Sequence, residues 1–203
     1  MTYCTKADIR LLSKISYTDL GYDEEDLFDV FLDSLIVLAQ SIINGYCSVP
    51  SGFFDTSGLA VTNEIRDYRY PWIDLKYYPV LTMTKVEYND QGYGIAPHWV
   101  TLNSADYIIN LDTGQLMLVN DVPAIAEQSV RVTYTAGYSA MPSVINHVCL
   151  QICSNFLHEI LQRKLSPIMR LDDFTMKLVV PSAFTKELQT ILAPYIRKSV
   201  VCG

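Results

Sequence analysis

The stretch VRVTYTAGYSAMP, residues 130–142, changes its pattern halfway along. From Val130 to Tyr134 apolar and polar side chains alternate with the two-residue period of a half-buried strand. Gly137 and Pro142 then interrupt the pattern, and a long stretch with helical spacing follows. Because glycine tolerates backbone angles that other residues resist, and proline suits the start of a helix, the stretch predicts a corner where a β unit returns to a helical body.

Helical patterns precede this corner. Thr5 is typical of an N-cap and predicts a helix over residues 6–15, with Asp8 where a capping box has Glu or Gln. A second helix is predicted to open at the acidic cluster 23–26, where carboxylates complement exposed N–H groups, and to stop at Gly45. Its predicted buried face is Leu27, Phe31, Leu35, Leu38 and Ile42.

Helical patterns also follow the corner. After Pro142, apolar residues recur every four positions. The predicted face is Val144, Val148, Ile152, Phe156 and Ile160. A last helix is predicted over about residues 182–199, kinked or shortened by Pro194.

Between the helical arms, short stretches rich in Val, Ile, Thr and Tyr alternate with turn signals. Examples are LTMTKVEY, DYIINL, GQLMLV and VRVTYTA, which predict an antiparallel unit of five or six strands. The predicted fold class is therefore α+β: a helical bundle of N- and C-terminal helices with an inserted antiparallel β unit. We expect residues 1–50 and 139–203 to form the helical body and residues 51–138 to form the β lobe.

Composition narrows the class of protein. With 203 residues, 50% hydrophobic and 18% charged, the chain can bury one core, or one core with a satellite. A net charge of −7 argues against a surface that grips nucleic acid through its phosphates. Neither a secretory signal nor a long uncharged apolar run is visible, so a soluble intracellular protein without a membrane span is expected. The five cysteines are scattered and odd in number, which favours reduced thiols.

Taken together and in order, these segments resemble the head-tail connector, or adaptor, proteins of tailed bacteriophages. The resemblance rests on TKADIRLLSKI near the start, a second helix ending near residues 43–46, YYPVLTMTKVEYND, the SADYII segment, and the final strand VRVTYTAGY followed by proline and a helix. It covers most of the chain, but the large tyrosine-rich middle departs from short members of the group. None of the pieces is a catalytic signature.

The resemblance implies an architectural role without cofactor or catalysis. Proteins of this group assemble as a ring, commonly of twelve copies, beneath the portal protein of the filled capsid. The ring meets a head-closure or tail-side neck protein, and DNA passes through its channel without specific binding. The resemblance thus implies a location in the virion neck after assembly in the host cytoplasm. In this group the C-terminal segment often engages the portal.

Charge is unevenly distributed along the chain. Residues 1–50 hold eight acidic and three basic side chains, residues 51–140 hold ten and five, and residues 141–203 hold four and seven. A basic end beside an acidic body suits heterologous contacts that close into a ring. The basic residues expected near a subunit or portal surface are Arg163, Lys164, Arg170 and Lys177.

Two further groups of residues are candidates for contacts. Glu25, Asp29 and Asp33 fall on one stripe of the second helix; they form either a solvated face, an acidic wall facing the DNA channel, or a metal or partner site. The patch Tyr68, Arg69, Tyr70 and Trp72 has the composition of an interface centre, although half-buried strand ends produce the same composition. Replacing its first three residues by alanine is expected to spare the monomer fold and to weaken assembly.

A different class of function stays open. The β lobe could read a glycan or peptide, with Trp72, Trp99 and Tyr78 as a stacking platform. A stable monomer that binds a glycan would favour this alternative over a ring.

Catalytic and metal motifs are incomplete. Cys149 and Cys153 lie one helical turn apart with His147 and His158 nearby, which is at most half of a zinc site, so buried packing thiols are expected. His158 begins an H-E-x-x-H pattern, but Gln162 stands where the second histidine is required. No enzyme is predicted, and no metal or cofactor.

Overall fold

The computed structural model describes residues 2–68, 71–91, 95–119, 127–165 and 183–197. The chain divides into two compact units. The helical unit comprises Met1–Val49 and Pro142–Ile196, and the β unit comprises Pro50–Met141 together with the residues from Arg197 onward. The predicted α+β architecture, with an antiparallel β unit inserted between N- and C-terminal helices, is confirmed.

The helical unit is built around its longest C-terminal helix. Its elements are α1 (Lys6–Ser13), α2 (Glu25–Cys47), α3 (Ser143–Leu165), α4 (Lys186–Leu192) and a 3-10 turn (Ala193–Tyr195). Helix α3 packs against α1, α2 and α4, so segments far apart in the sequence share one core. The predicted N-cap is confirmed, since the Thr5 hydroxyl oxygen accepts a hydrogen bond from the Asp8 amide at 3.2 Å.

The predicted end of α2 is wrong. The helix passes through Gly45 and ends at Cys47, and Ser48 supplies the left-handed C-cap with φ 56°. The Ser48 amide donates to the carbonyls of Asn44 and Gly45, which satisfies groups that a helix end leaves free. A non-glycine residue thus takes the position in which glycine is most common.

The predicted buried face of α2 is also displaced. Leu35 is buried as predicted, but Leu27 and Leu38 are 54% and 43% exposed. The observed buried face is Phe28, Leu32, Leu35, Ile36, Ala39, Ile43 and Cys47. Because α2 carries apolar residues on two sides, spacing alone does not identify the side that faces the core.

For α3 the four-residue spacing misled the prediction. Val148 and Ile152 are buried, whereas Val144 and Phe156 are half-buried and Ile160 is 37% exposed. Each step of four residues turns an α-helix by about 400°, so a strict period of four drifts by about 40° per step. The buried face therefore mixes spacings of three and four: Ile145, Val148, Cys149, Ile152, Cys153 and Leu157.

The last helix is shorter than predicted. Helix α4 spans seven residues, and Pro194 lies in the 3-10 turn that follows it. Shortening at this proline is as expected, because proline lacks the amide that an α-helix needs.

The β unit contains two antiparallel sheets in its described residues. The first has the order β1 (Leu59–Arg66), β7 (Val130–Ala136), β3 (Val80–Asn89), β4 (Trp99–Thr101). The second has the order β2 (Ile73–Asp74), β6 (Gln115–Leu118), β5 (Tyr107–Asn110). The four quoted strand patterns correspond to β3, β5, β6 and β7, whereas β1 and the short β2 and β4 were not individually predicted.

The predicted corner lies at the end of β7, one of the two inner strands of the first sheet. Its residues alternate between buried and half-buried positions, as the two-residue period requires. Gly137 has φ 122°, and an added Cβ would collide with the carbonyl oxygen of Phe53. Only glycine fits there, and α3 begins directly after Pro142.

Candidate functional site

Helix α2 exposes an apolar stripe, here called the outer stripe. Its members are Leu27, Val30, Val37 and Leu38, which are 54%, 65%, 64% and 43% exposed. With about 100° per residue, the centre of this stripe lies roughly 160° from the centre of the buried face. Exposed apolar residues gathered on one side of a helix make this side a candidate contact surface.

The acidic stripe of α2 is ion-paired with α1. Lys6 Nζ lies 3.1 Å from an Asp33 carboxylate oxygen and 3.6 Å from one of Asp29. Arg10 lies 3.0 Å from a Glu25 oxygen and also pairs with Asp29. The carboxylates draw the pKa of Lys6 upward, mainly through its hydrogen bond to Asp33. The stripe is thus partly neutralised within the monomer, and its orientation toward a channel stays a prediction.

The predicted basic surface is described only in part. Arg163 and Lys164 are exposed at the C-terminal end of α3, while Arg170 and Lys177 lie outside the described residues. Arg163 pairs with Glu159 one turn earlier, and Lys164 Nζ donates to the Asp19 carbonyl at 3.1 Å. Both basic residues share a helix face with the exposed Ile160.

The tyrosine-rich patch is divided by its burial. Trp72 is 42% exposed, but Tyr68 is only 7% exposed and belongs to the core of the β unit. Arg69 and Tyr70 lie outside the described residues. The expectation that alanine at Tyr68 spares the monomer fold is therefore wrong, because the substitution would leave a cavity. An interface role for the patch remains a prediction.

The aromatic platform of the alternative function is largely occupied. The Arg131 guanidinium lies 4.6 Å from the ring centre of Trp99, and the Arg197 guanidinium lies 4.5 Å from that of Tyr78. A stacking ligand would have to displace these cations from the ring faces they cover. Of the three predicted platform residues, Trp72 retains the clearest exposure to solvent.

Sequence reasoning missed a charged cross-strand pair beside Trp99. Glu87 and Arg131 are directly opposite each other on β3 and β7 and form two hydrogen bonds, at 2.7 and 2.8 Å. Glu87 is 3% exposed, and the hydrogen bonds from Arg131 hold the pKa of its carboxyl below the usual value. Only the strand register, which the sequence does not show, identifies the two residues as partners.

The strand VRVTYTA also carries a buried polar junction. The Tyr134 hydroxyl donates to Glu64 Oε2 at 2.6 Å and accepts from the Tyr77 amide at 3.2 Å. Glu64 in turn accepts from Arg66 and from the Lys76 amide. Burial, followed by the neighbouring carboxylate, raises the pKa of Tyr134. The junction ties β7 to β1 and to the segment before β3.

The helical unit holds a cluster of three buried thiols. Cys149 and Cys153 of α3 were predicted as packing residues, and Cys4 joins them from the segment before α1. The three Sγ atoms lie within 4.8 Å of one another. No local signal marks Cys4 as a member, because 145 residues separate it from Cys149.

Within the described ranges, no helix combines the length and the apolar character that crossing a bilayer requires.

No protein-family model and no curated protein matches this chain. Solved structures do match it. A chain in the neck of an empty GTA particle, computed with C6 symmetry, has a TM-score of 0.52 and 14% identity, covering 97% of this chain and 91% of that chain. One in the neck of a native GTA particle, computed with C12 symmetry, has a TM-score of 0.50 and 15% identity, covering 88% of each chain.

A third match is a chain in the virion of a native gene transfer agent (GTA) particle. It has a TM-score of 0.51 and 16% identity, covering 97% of this chain and 91% of that chain. The chain shares its fold with these particle components over nearly its whole length. The resemblance to head-tail connector proteins, stated from the sequence, is confirmed at the level of the fold.

Proposed function

We propose that this protein is a structural head-tail adaptor of a tailed phage or related particle, located in the virion neck. In this proposal it forms a ring of twelve copies under the portal protein, extends the DNA channel and offers a docking surface to a head-closure or tail-side neck protein. It carries no catalysis of its own. The fold shared with chains of GTA necks, one of them computed with C12 symmetry, supports this role.

The observation that carries the proposal is the outer stripe of α2. A helix that is apolar on two opposite sides is stable in an assembly, where the second side also leaves water. Val30 and Val37, 65% and 64% exposed, would contribute most of the newly buried area. We assign the stripe to contact with a neighbouring copy.

The charged residues beside the outer stripe indicate which surface of the neighbouring copy it contacts. The exposed acidic residue Asp26 lies beside Val30 at the border of the outer stripe. The exposed end of α3 carries Ile160 between basic side chains, Arg163 and Lys164. An apolar strip with an acidic border fits an apolar residue with a basic border. In this proposal α2 of each copy meets α3 of the next copy in a heterologous contact, and a rotation that closes produces a ring.

The acidic stripe suits a channel that DNA slides through. Pairing with Lys6 and Arg10 leaves Glu25, Asp29 and Asp33 partly compensated, and no basic face is left on this stripe for phosphates to bind. We propose that this face borders the channel. The small net negative charge of this face would repel DNA weakly, and the face offers no cluster of basic residues that would hold the phosphates.

The test is assembly with a portal ring. The wild-type protein, mixed with purified portal, is expected to add a ring of density in electron micrographs. Val37→Glu should keep a folded monomer, because Val37 is exposed, and should abolish the added ring. A carboxylate buried in the contact costs about 2 kcal/mol or more, and every copy in a closed ring makes the contact twice.

A matched control separates the surface from a general effect of charge. Ile108 is 54% exposed on β5 of the β unit, so Ile108→Glu makes the same kind of change outside the proposed contact. It should assemble as the wild type does. Equal loss of rings in both variants would reject the assignment to α2, and a wild-type protein that never adds to any portal would reject the adaptor role itself.

A further inference from the structure

The three-thiol cluster brings together ligands from two distant parts of the chain. Cys4 is 2% exposed, and Cys149 and Cys153 are fully buried. The Sγ atoms of Cys4 and Cys149 are 3.3 Å apart, and all three sulfurs lie within 4.8 Å of one another. Cys149 and Cys153 are spaced by one turn on α3, so both side chains point from the same helix face toward Cys4.

These sulfur separations are those of a metal-thiolate site. A metal-sulfur bond of about 2.3 Å implies sulfur atoms roughly 3.8 Å apart in a tetrahedral site and roughly 4.0 Å apart in a trigonal one. The Cys4–Cys149 sulfur separation of 3.3 Å is somewhat shorter than these values, and no sulfur pair in the cluster is more than 4.8 Å apart. Small rearrangements of side chains would bring all three sulfurs onto one ion.

The chain around Cys4 is held in place for this role. The Asn146 side-chain amide donates to the Tyr3 carbonyl at 2.7 Å, and the Tyr3 hydroxyl donates to Asn44 Oδ1 at 2.7 Å. Both bonds fix the residue next to Cys4 against α3 and α2. By fixing Tyr3, these bonds restrict the position of the neighbouring residue Cys4.

The chemistry of the thiols also favours a cation. Three thiols in one buried space are the ligand type that thiophilic ions prefer. A thiolate buried without a cation is costly, and a soft d10 ion removes that cost. Because thiolates are the ligands, binding would displace the thiol protons, so up to three protons leave for each ion bound.

We propose that Cys4, Cys149 and Cys153 form a site for one thiophilic d10 cation, Cu⁺ or Zn²⁺. The bound ion fastens the segment before α1 onto α3. Three sulfurs complete a trigonal shell for Cu⁺, whereas Zn²⁺ would recruit a fourth ligand. Both ions share the same thiolate chemistry, and the experiment below distinguishes them.

The test uses the full-length protein, reduced and freed of metal. It is titrated separately with Cu⁺, with Zn²⁺, and with Cd²⁺, whose thiolate charge-transfer absorption reports sulfur ligation. One ion per chain and release of up to three protons are expected. At one hundred times the dissociation constant, the melting temperature should rise by about 5–10 °C. Saturation by Cu⁺ alone assigns a Cu⁺ site, and saturation by Zn²⁺ as well assigns a site that accepts either ion. Failure of all three ions to bind at one per chain overturns the proposal.

Variants locate the ion. Cys4→Ser and Cys153→Ser should each weaken binding by about 100-fold or more, since each removes one of three ligands. Cys47 is a fully buried cysteine of the same unit that lies outside the cluster, so Cys47→Ser is the matched control and should bind as the wild type does. Unchanged binding by Cys4→Ser, or an equal loss in Cys47→Ser, would contradict the site.

A second measurement covers a variant that fails to fold. The wild-type protein is treated with a thiol alkylating agent in partial denaturant, with and without the ion, and the modified cysteines are identified by mass spectrometry. The ion should slow modification of Cys4, Cys149 and Cys153 by at least about 10-fold more than that of Cys47. Equal protection of all four cysteines would show general stabilisation and would also overturn the proposal.

Discussion

Replacing Tyr134 by phenylalanine should destabilise the β unit by about 3 kcal/mol. The ring volume is kept, so only the hydroxyl is lost. Its bond to the Glu64 carboxylate, at 2.6 Å, is of the charged type that contributes about 1.5–3 kcal/mol. The Tyr77 amide, which donates to the hydroxyl at 3.2 Å, loses its acceptor at a cost of about 1 kcal/mol, the low end of the range because Tyr77 is half-buried.

The assay is denaturant unfolding followed by tryptophan fluorescence. Both tryptophans of the chain, Trp72 and Trp99, lie in the β unit, so the signal reports on that unit. Tyr107→Phe is the matched control: the Tyr107 side chain is half-buried, and its hydroxyl meets no partner among the described residues. We expect the control to stay within about 0.5 kcal/mol of the wild type.

The pH dependence gives an independent check. Burial raises the pKa of Tyr134 above its usual value of 10.0, so the hydroxyl stays protonated in the folded state. In the unfolded chain it ionises near pH 10. The stability that it contributes is therefore complete below pH 10 and is lost as the pH rises.

The wild type and Tyr134→Phe differ in their free energy of unfolding, and at pH 11 this difference should be about 1.4 kcal/mol smaller than at pH 7. A loss below about 1 kcal/mol at pH 7, or a difference that is the same at pH 7 and pH 11, would refute the reasoning.

Two further predictions concern a pair of glycines, Gly137 and Gly45, and the buried carboxylate of Glu87. Gly137→Ala should lower the free energy of unfolding by about 3 kcal/mol or more, because φ 122° is strained for alanine and the new Cβ collides with a backbone carbonyl. Gly45→Ala, in open space on α2, should instead raise helix stability by about 0.5–1 kcal/mol. Thermal melting followed by circular dichroism measures both. Glu87 has a lowered pKa because Arg131 hydrogen-bonds its carboxylate, so its contribution is present above about pH 4.3 and is lost as the pH falls; Glu87→Gln should flatten the tryptophan-detected acid transition, and an unchanged transition would contradict the assignment.

Local rules were sufficient for four strands of the β unit, β3, β5, β6 and β7, and for its corner. The alternation in VRVTYTA predicts the buried positions of the inner strand β7, and the sequence shows the steric requirement at Gly137 as a glycine between a strand and a proline. The strands β3, β5 and β6 follow from the same period-two signal. Each of these features depends on residues close together in the sequence.

The helices show where local rules stop. Helix α2 has an apolar stripe on each of two sides, and the choice between Leu27 and Phe28 as core residue depends on what packs there. Nothing within the helix encodes that choice, so the predicted face was displaced by one residue. The second apolar side of α2 is the outer stripe, whose contact with a neighbouring copy is a proposal.

The candidate sites depend on contacts between distant residues. The prediction named Cys149 and Cys153 but not Cys4, and it named the acidic stripe of α2 but not its basic partners on α1. Spacing along one helix reveals which residues share a face, and it reveals nothing about the element opposite. Register likewise joins Glu87 to Arg131.

The insertion of the β unit imposes an order on biosynthesis. Asn146, which holds the Tyr3 carbonyl, lies 143 residues after it in the chain. At about 5–20 residues per second, the ribosome needs roughly 7–30 s to deliver the second partner after the first. During that time α1 and α2 have left the ribosome without α3, and their exposed hydrophobic surface is prone to aggregate or to bind chaperones. Folding of the lobe in between shortens the effective loop and so lowers the entropic cost of bringing the two ends of the polypeptide together.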